Sequence, residues 1–365
     1  MIRPFILDVP QASLDWIAAR VADARIGYAP DDDADWKYGT SAHYLTEFRD
    51  YWRDVYDWAP AQDSFNALPQ FVVEIEGIDI HFYHLRASAS RAGYPLILSH
   101  GWPGSVTEFL EVMPLLAARG FDVVVPSLPG YGFSGRPARP IGAVDVARMW
   151  RKLMVDHLGY PRFGAQGGDW GSSIAIALAE HHADVVGGFH LNFLFMRASG
   201  ELSAEVAEWQ ANARKRFAGS GSYAQQMQSR PQTIGLALSD SPIGFAAWVL
   251  EKYRAWSDCG GDIEASFSKD QLITSIMTYL VSDNVQAAMW LYNSLNAARP
   301  GTARIEVPMG FAAFPAETPP PPRSLVAQRF NIARWQEMPR GGHFAAWEEP
   351  ELFADEVAAF FSTWQ

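Results

Sequence analysis

The sequence predicts an α/β protein: a mostly parallel sheet wrapped by helices, a helical lid inserted between two parts of that sheet, and an N-terminal region wrapped around it. Three observations carry this prediction. Between residues 95 and 191 short apolar runs alternate with helix-length segments, from 193 to 305 the strand-like runs vanish, and after 305 they return ahead of a closing amphipathic stretch. The expected organisation is a wrapping region at 1–88, a first core part at 89–192, a lid at 193–305 and a second core part at 306–365.

Taken in order, Leu14, Ile17 and Val21 and then Tyr44, Leu45, Phe48, Trp52 and Val55 recur at three- and four-residue spacing, which predicts two amphipathic helices. Phe71, Val73 and Ile75, then Ile78, Ile80 and Phe82, alternate about Glu76-Gly77 and predict a hairpin. Short buried strands are expected at 95–99, 122–125 and 185–191, with helices at 106–116 and 144–158. In the lid, 245–256 and 271–295 read as helices; beyond it come a strand at 308–314, a rigid loop at the proline run 319–322, a strand at 332–336 and a helix at 350–361.

Composition narrows the function. Acidic residues outnumber basic ones by 41 to 29, a formal charge of -12, and no Lys/Arg run exceeds Arg214-Lys215-Arg216, so nucleic acid and anionic membranes are poor partners. Cys259 is the only cysteine, which rules out an intrachain disulfide and a cysteine-based metal site. The start lacks a signal-peptide pattern and no apolar run reaches membrane-spanning length; a soluble, cytoplasmic chain without membrane anchor, metal or cofactor is the expectation.

The chemistry centres on Gly167-Gly168-Asp169-Trp170-Gly171, which lies between a strand end at 162–165 and an apolar helix at 174–179. Its glycines have the spacing of a nucleophile elbow, with a carboxylate where a hydrolase carries serine. Asp169 at the start of a helix should favour its ionised form; the competing reading makes it a helix cap. A nucleophile, then an acid, then a histidine after successive strands is the chain order of alpha/beta-hydrolases, and Asp169, Glu317 and His343 follow it. Glu317 is the only acidic residue between Pro308 and Gln336. The turn His100-Gly101-Trp102-Pro103-Gly104-Ser105 stands where the other half of an oxyanion hole belongs, with the backbone N–H groups of Trp102 and Trp170 as candidate donors. A serine esterase is disfavoured, because Ser172 and Ser173 lie past the elbow.

Those motifs, with Gly310 to Glu317, Gly341-Gly342-His343-Phe344-Ala345-Ala346 and the N-terminal Trp36-Lys37-Tyr38-Gly39, Tyr51-Trp52 and Pro69-Gln70-Phe71, resemble epoxide hydrolases of the microsomal and insect juvenile-hormone type over nearly the whole chain. Membrane-anchored members of that family begin with an apolar segment that this sequence does not show, so anchoring is not implied. The resemblance implies an alpha/beta-hydrolase fold, a small apolar epoxide and water as reactants, and no cofactor.

It also implies a two-step reaction, consistent with what a carboxylate can do. Attack on an epoxide carbon gives an ordinary ester, whereas attack on an acyl carbon gives an anhydride. His343, oriented by Glu317, would then activate water to cut that ester. The family's two lid tyrosines fall by position on Tyr223 and Tyr292, which would donate hydrogen bonds to the epoxide oxygen; from the residues alone Tyr253 and Tyr279 serve equally well. A haloalkane dehalogenase, which also places Trp after an elbow Asp, and a non-catalytic receptor on the same fold are the alternatives.

Overall fold

The computed structural model of the chain describes residues 1–88, 93–196, 202–297, 301 and 303–364. Among them one nine-stranded sheet runs through the molecule in the order β1-β2-β3-β5-β4-β6-β7-β8-β9, where β1 is Arg3–Pro4, β2 Gln70–Ile75, β3 Ile78–Leu85, β4 Tyr94–Ser99, β5 Phe121–Pro126, β6 Phe163–Gly167, β7 Val186–Leu191, β8 Ile305–Ala313 and β9 Phe330–Glu337. From β5 to β9 every neighbouring pair is parallel; β1, β2 and β3 add to the β5 edge in antiparallel fashion.

Parallel strands covered on both faces read as unbroken apolar runs, and β5 and β7 are buried at every position. The two faces feed separate cores. On β4, Ile97 joins the core shared with Val146 and Ile174 of the helices Ala143–Arg151 and Asp169–His181, while Leu96 and Leu98 join Val112, Leu116, Phe353 and Val357 of the helices Val112–Ala118 and Pro350–Phe361. That is the two-residue side-chain alternation of a strand.

The hairpin forms as its pattern predicts. Glu76 (φ 56°) and Gly77 (φ 79°) both take the left-handed conformation, which suits the right-handed twist of a two-residue hairpin turn. Three helices, Gln11–Ala22, Ala42–Asp54 and Trp58–Asn66, accompany it. Val55, expected on an apolar face, lies one residue past its helix and is 62% exposed. These helices lean on the helical insertion: Tyr51 Oη donates to Asp270 at 3.0 Å, and the Tyr56 and Thr274 hydroxyls are 2.9 Å apart.

From 204 to 293 the insertion consists of Ala204–Ser220, Ser222–Ser229, Pro231–Ser239, Pro242–Trp256, Lys269–Val281 and Val285–Asn293. The single helix expected over 271–295 is broken. Asp283 turns into the left-handed region (φ 53°), and the Asn284 amide leaves the helix to donate to the carbonyls of Gly132 (3.0 Å) and Ser134 (3.2 Å). The helix expected over 144–158 passes into a π-helical turn at Lys152–His157, and a short helix, Arg323–Arg329, follows the proline run directly. No single helix among the described residues is long and apolar enough to cross a membrane; Pro231–Ser239 and Pro242–Trp256 together reach that length only with a bend of 119°.

Removing residues 1–88 would strip three strands from the sheet and leave β5 as an open apolar edge. The expected outcome is aggregation on expression, measured by size-exclusion chromatography. A shortened chain that is soluble and fully active would refute the dependence.

Candidate functional site

The site begins where β6 meets the helix Asp169–His181 with one residue, Gly168, between them. So abrupt a reversal puts Asp169 at φ 46°, a strained value for a residue with a side chain. It also presses three chain segments together. A Cβ on Gly167 would lie 2.1 Å from the backbone of Gly171, and one on Gly171 would lie 1.9 Å from the Ser99 carbonyl at the end of β4. Only glycine fits at either place.

Asp169 does not cap its helix: the N-cap is Gly168 and no side chain bonds there. Its Oδ1 instead accepts from the Trp102 N–H at 2.8 Å, and the Trp170 N–H also donates to the carboxylate. Both backbone donors named from the sequence therefore converge on this group. The His100–Ser105 turn that supplies Trp102 is held from below. His100 is buried, which lowers its pKa to about 4; its neutral ring faces the Gly101 carbonyl through Nδ1 and accepts from Leu128 N–H through Nε2, at 3.1 Å each.

Glu317, 6% exposed, sits in a turn after β8 where its N–H donates to the Phe314 carbonyl. His343 follows β9 in a loop docked on the insertion, with its N–H donating to the Trp256 carbonyl at 2.8 Å. A Cβ on Gly342 would lie 2.5 Å from that carbonyl, so the glycine beside His343 permits the docking. The imidazole bridges two acids: Nδ1 is 2.5 Å from Glu317 Oε2 and Nε2 is 3.6 Å from Asp169 Oδ2.

Burial alone would lower the pKa of His343, but Glu317, Asp169 and Glu108 outweigh it and lift the ring to about 9. The ring is a cation at neutral pH. For Asp169 the sequence expectation needs correction. Burial raises its pKa, and His343 with the two N–H donors offsets only part of that rise; the helix start is a smaller influence than the loss of water.

Aromatic rings roof the carboxylate. Tyr223, on Ser222–Ser229, stacks on Trp102 at 5.3 Å, and Tyr292, on Val285–Asn293, meets Trp170 edge-on at 5.1 Å. The two phenols hydrogen-bond to one another and feel the Asp169 charge, and burial raises the pKa of each. Tyr253 and Tyr279 are placed otherwise. Their hydroxyls donate to the carbonyls of Pro103 (3.0 Å) and Gly104 (2.5 Å), so they brace the His100–Ser105 turn.

Two neighbours escaped the sequence reading. Trp256 packs on the His343 ring at 4.9 Å, and Glu108 reaches a small cavity that Asp169 and His343 also line. A carboxylate between Val106 and Phe109, just after the His100–Ser105 turn, was the signal for the second.

The comparisons with known proteins agree with this geometry. Residues 2–109 match the family model described as epoxide hydrolase N terminus, and residues 94–227 match that of the alpha/beta hydrolase fold. Epoxide hydrolase 1 of Sus scrofa is 34% identical, with 98% of this chain and 88% of the relative aligned. Juvenile hormone epoxide hydrolase 1 of Ctenocephalides felis is 31% identical over 98% of this chain and 84% of its own length. The structure of Aspergillus niger epoxide hydrolase superimposes with a TM-score of 0.90 at 33% identity, covering 100% of this chain and 96% of that one. With a glycine-flanked aspartate beneath paired phenols and likeness over nearly its full length, the chain belongs to the epoxide hydrolase family, an enzyme family on the alpha/beta-hydrolase fold.

Proposed function

We propose that the chain converts a small apolar epoxide to a vicinal diol through a covalent ester on Asp169. The observation that carries this reading is the convergence on one carboxylate of two backbone N–H donors and the Glu317-bound imidazole of His343, with two phenols packed on the tryptophans that supply those donors. Oδ2 of Asp169 attacks an epoxide carbon while Tyr223 and Tyr292 donate hydrogen bonds to the ring oxygen as its C–O bond breaks. Phenols whose pKa is raised by burial remain protonated and able to donate. The rings of Trp102, Trp170 and Trp256 favour an apolar substrate.

Ester formation removes the negative charge of Asp169, one of the groups that hold His343 protonated. The imidazole then gives up its proton more readily, to the oxygen freed by ring opening, and in its neutral form serves as base for a water that attacks the ester carbonyl. The N–H groups of Trp102 and Trp170 stabilise the oxyanion that develops on Oδ1. Haloalkane dehalogenase and non-catalytic receptor readings are not favoured, since the relatives described above are named epoxide hydrolases.

Intact-protein mass spectrometry separates the half-reactions. His343→Gln should accumulate an adduct heavier by one epoxide, Asp169→Ala should form none, and Glu317→Gln should alkylate but release product slowly. A folded, substrate-binding His343→Gln that stays unmodified contradicts the ester mechanism. Tyr223→Phe and Tyr292→Phe should each slow alkylation by about ten- to a thousandfold, the loss of a transition-state hydrogen bond of about 1.5 to 4 kcal/mol. Unchanged single-turnover alkylation in either variant would remove that phenol from the proposed role.

A further inference from the structure

Asp169 borders a cavity of about 20 Å³ that neither phenol lines. Asp169, His343, Glu108 and Asn192 line it together with Gly101 and Gly104, and Phe109, Phe344 and Phe353 close its apolar side. A cavity needs roughly 10 to 15 Å³ and two to four polar partners to hold a water, so this one has room for one molecule and little else. We propose that it holds the water that hydrolyses the ester, and that Glu108 is the hydrogen-bond acceptor that orients it. The inference rests on the covalent mechanism proposed above and adds a residue and a site to its second step.

The backbone makes space for this carboxylate deliberately. A Cβ on Gly101 would lie 2.0 Å from Asp169 Oδ1, and one on Gly104 would lie 1.6 Å from Glu108 Oε1. Two glycines of one turn thus each admit an acid side chain, one to either side of Trp102. The Ser105 N–H donates to the Glu108 carboxylate and leaves acceptor capacity for the cavity. Burial pushes the Glu108 pKa up to about 8; His343 pulls it down, Asp169 raises it, the Ser105 N–H lowers it and Glu348 adds a small upward push. Protonated or not, a carboxyl group retains an oxygen lone pair for a water hydrogen.

The step balances without an added reagent. The water directs one hydrogen to Nε2 of His343 and the other to Glu108, so its lone pair points at Cγ of the Asp169 ester. Its oxygen bonds to Cγ as Nε2 takes the first proton. The bond from Cγ to the alkyl oxygen then breaks and Nε2 gives that proton to the departing diol oxygen. The water oxygen and its second hydrogen stay on the Asp169 carboxyl group, which passes that hydrogen to Nε2 and is left as a carboxylate. Glu108 positions the attacking atom and takes no part in ring opening.

Glu108→Gln tests this at nearly constant shape, because the amide has one acceptor oxygen and the Ser105 N–H claims it, leaving an NH₂ donor toward the water. With styrene oxide as the probe, adduct formation and decay are followed by quenched-flow mass spectrometry. The expected result is alkylation within about twofold of the parent chain and adduct decay slowed by about tenfold or more. Decay at the parent rate, or equal slowing of both steps, would overturn the proposal. Should that variant misfold, Glu108→Asp keeps the acid and withdraws it by one methylene; selective slowing of decay supports the role and parent-like decay refutes it. Absence of adduct in His343→Gln would instead sink the covalent reading itself, whereas adduct there with normal decay in Glu108→Gln would sink only the role of Glu108.

Discussion

The site depends on keeping a carboxylate charged where it is largely shielded from water. Moving an ion of that size out of water costs several kcal/mol even after the surroundings relax, and an unpaired carboxylate would simply take up a proton. Asp169 meets that cost with two backbone N–H groups and an imidazolium, and the imidazolium is in turn held by Glu317. Each support comes from a different strand end: β4 leads to Trp102, β6 to Trp170, β8 to Glu317 and β9 to His343. Only a parallel sheet delivers its carboxyl ends to one place in this way.

The helical insertion belongs to the same arrangement. Its Tyr253 and Tyr279 fix the carbonyls of the oxyanion turn, and the end of Pro242–Trp256 fixes the backbone of His343. The roof therefore sets the geometry of the floor. An insertion that only covered the site would not need its hydroxyls buried against the turn beneath. The N-terminal helices, hydrogen-bonded to Asp270 and Thr274 of the insertion, carry the same support to the far edge of the sheet.

Much of this was legible in the sequence because it is written locally. The glycines about Asp169 have a fixed spacing, Glu76-Gly77 interrupts an alternating pattern, and the order of aspartate, glutamate and histidine follows the order of strands. What was not legible depends on distant partners. The break at Asp283 follows from Asn284 reaching Gly132 and Ser134, about 150 residues earlier in the chain. Four tyrosines of the insertion look alike in sequence, and only their partners separate Tyr253 and Tyr279, which brace a turn, from Tyr223 and Tyr292, which pack on Trp102 and Trp170. The helix start was visible beside Asp169, but the depth of its burial was not, so the direction of its pKa shift was misjudged.

The bond between His343 and Glu317 has a consequence for proton traffic. Because Nδ1 is committed to a carboxylate, Nε2 is the only ring position through which a proton can pass. Converting an epoxide and a water to a diol neither consumes nor releases a proton overall. A ring that is cationic at rest already stores the proton that the opened epoxide oxygen must finally carry. On the proposed mechanism the opened oxygen takes that proton, the neutral ring relays one hydrogen of the water to the departing diol oxygen, and the second hydrogen of the water returns the ring to its cationic form. The turnover closes on itself, and it needs no proton exchange with the surrounding solvent.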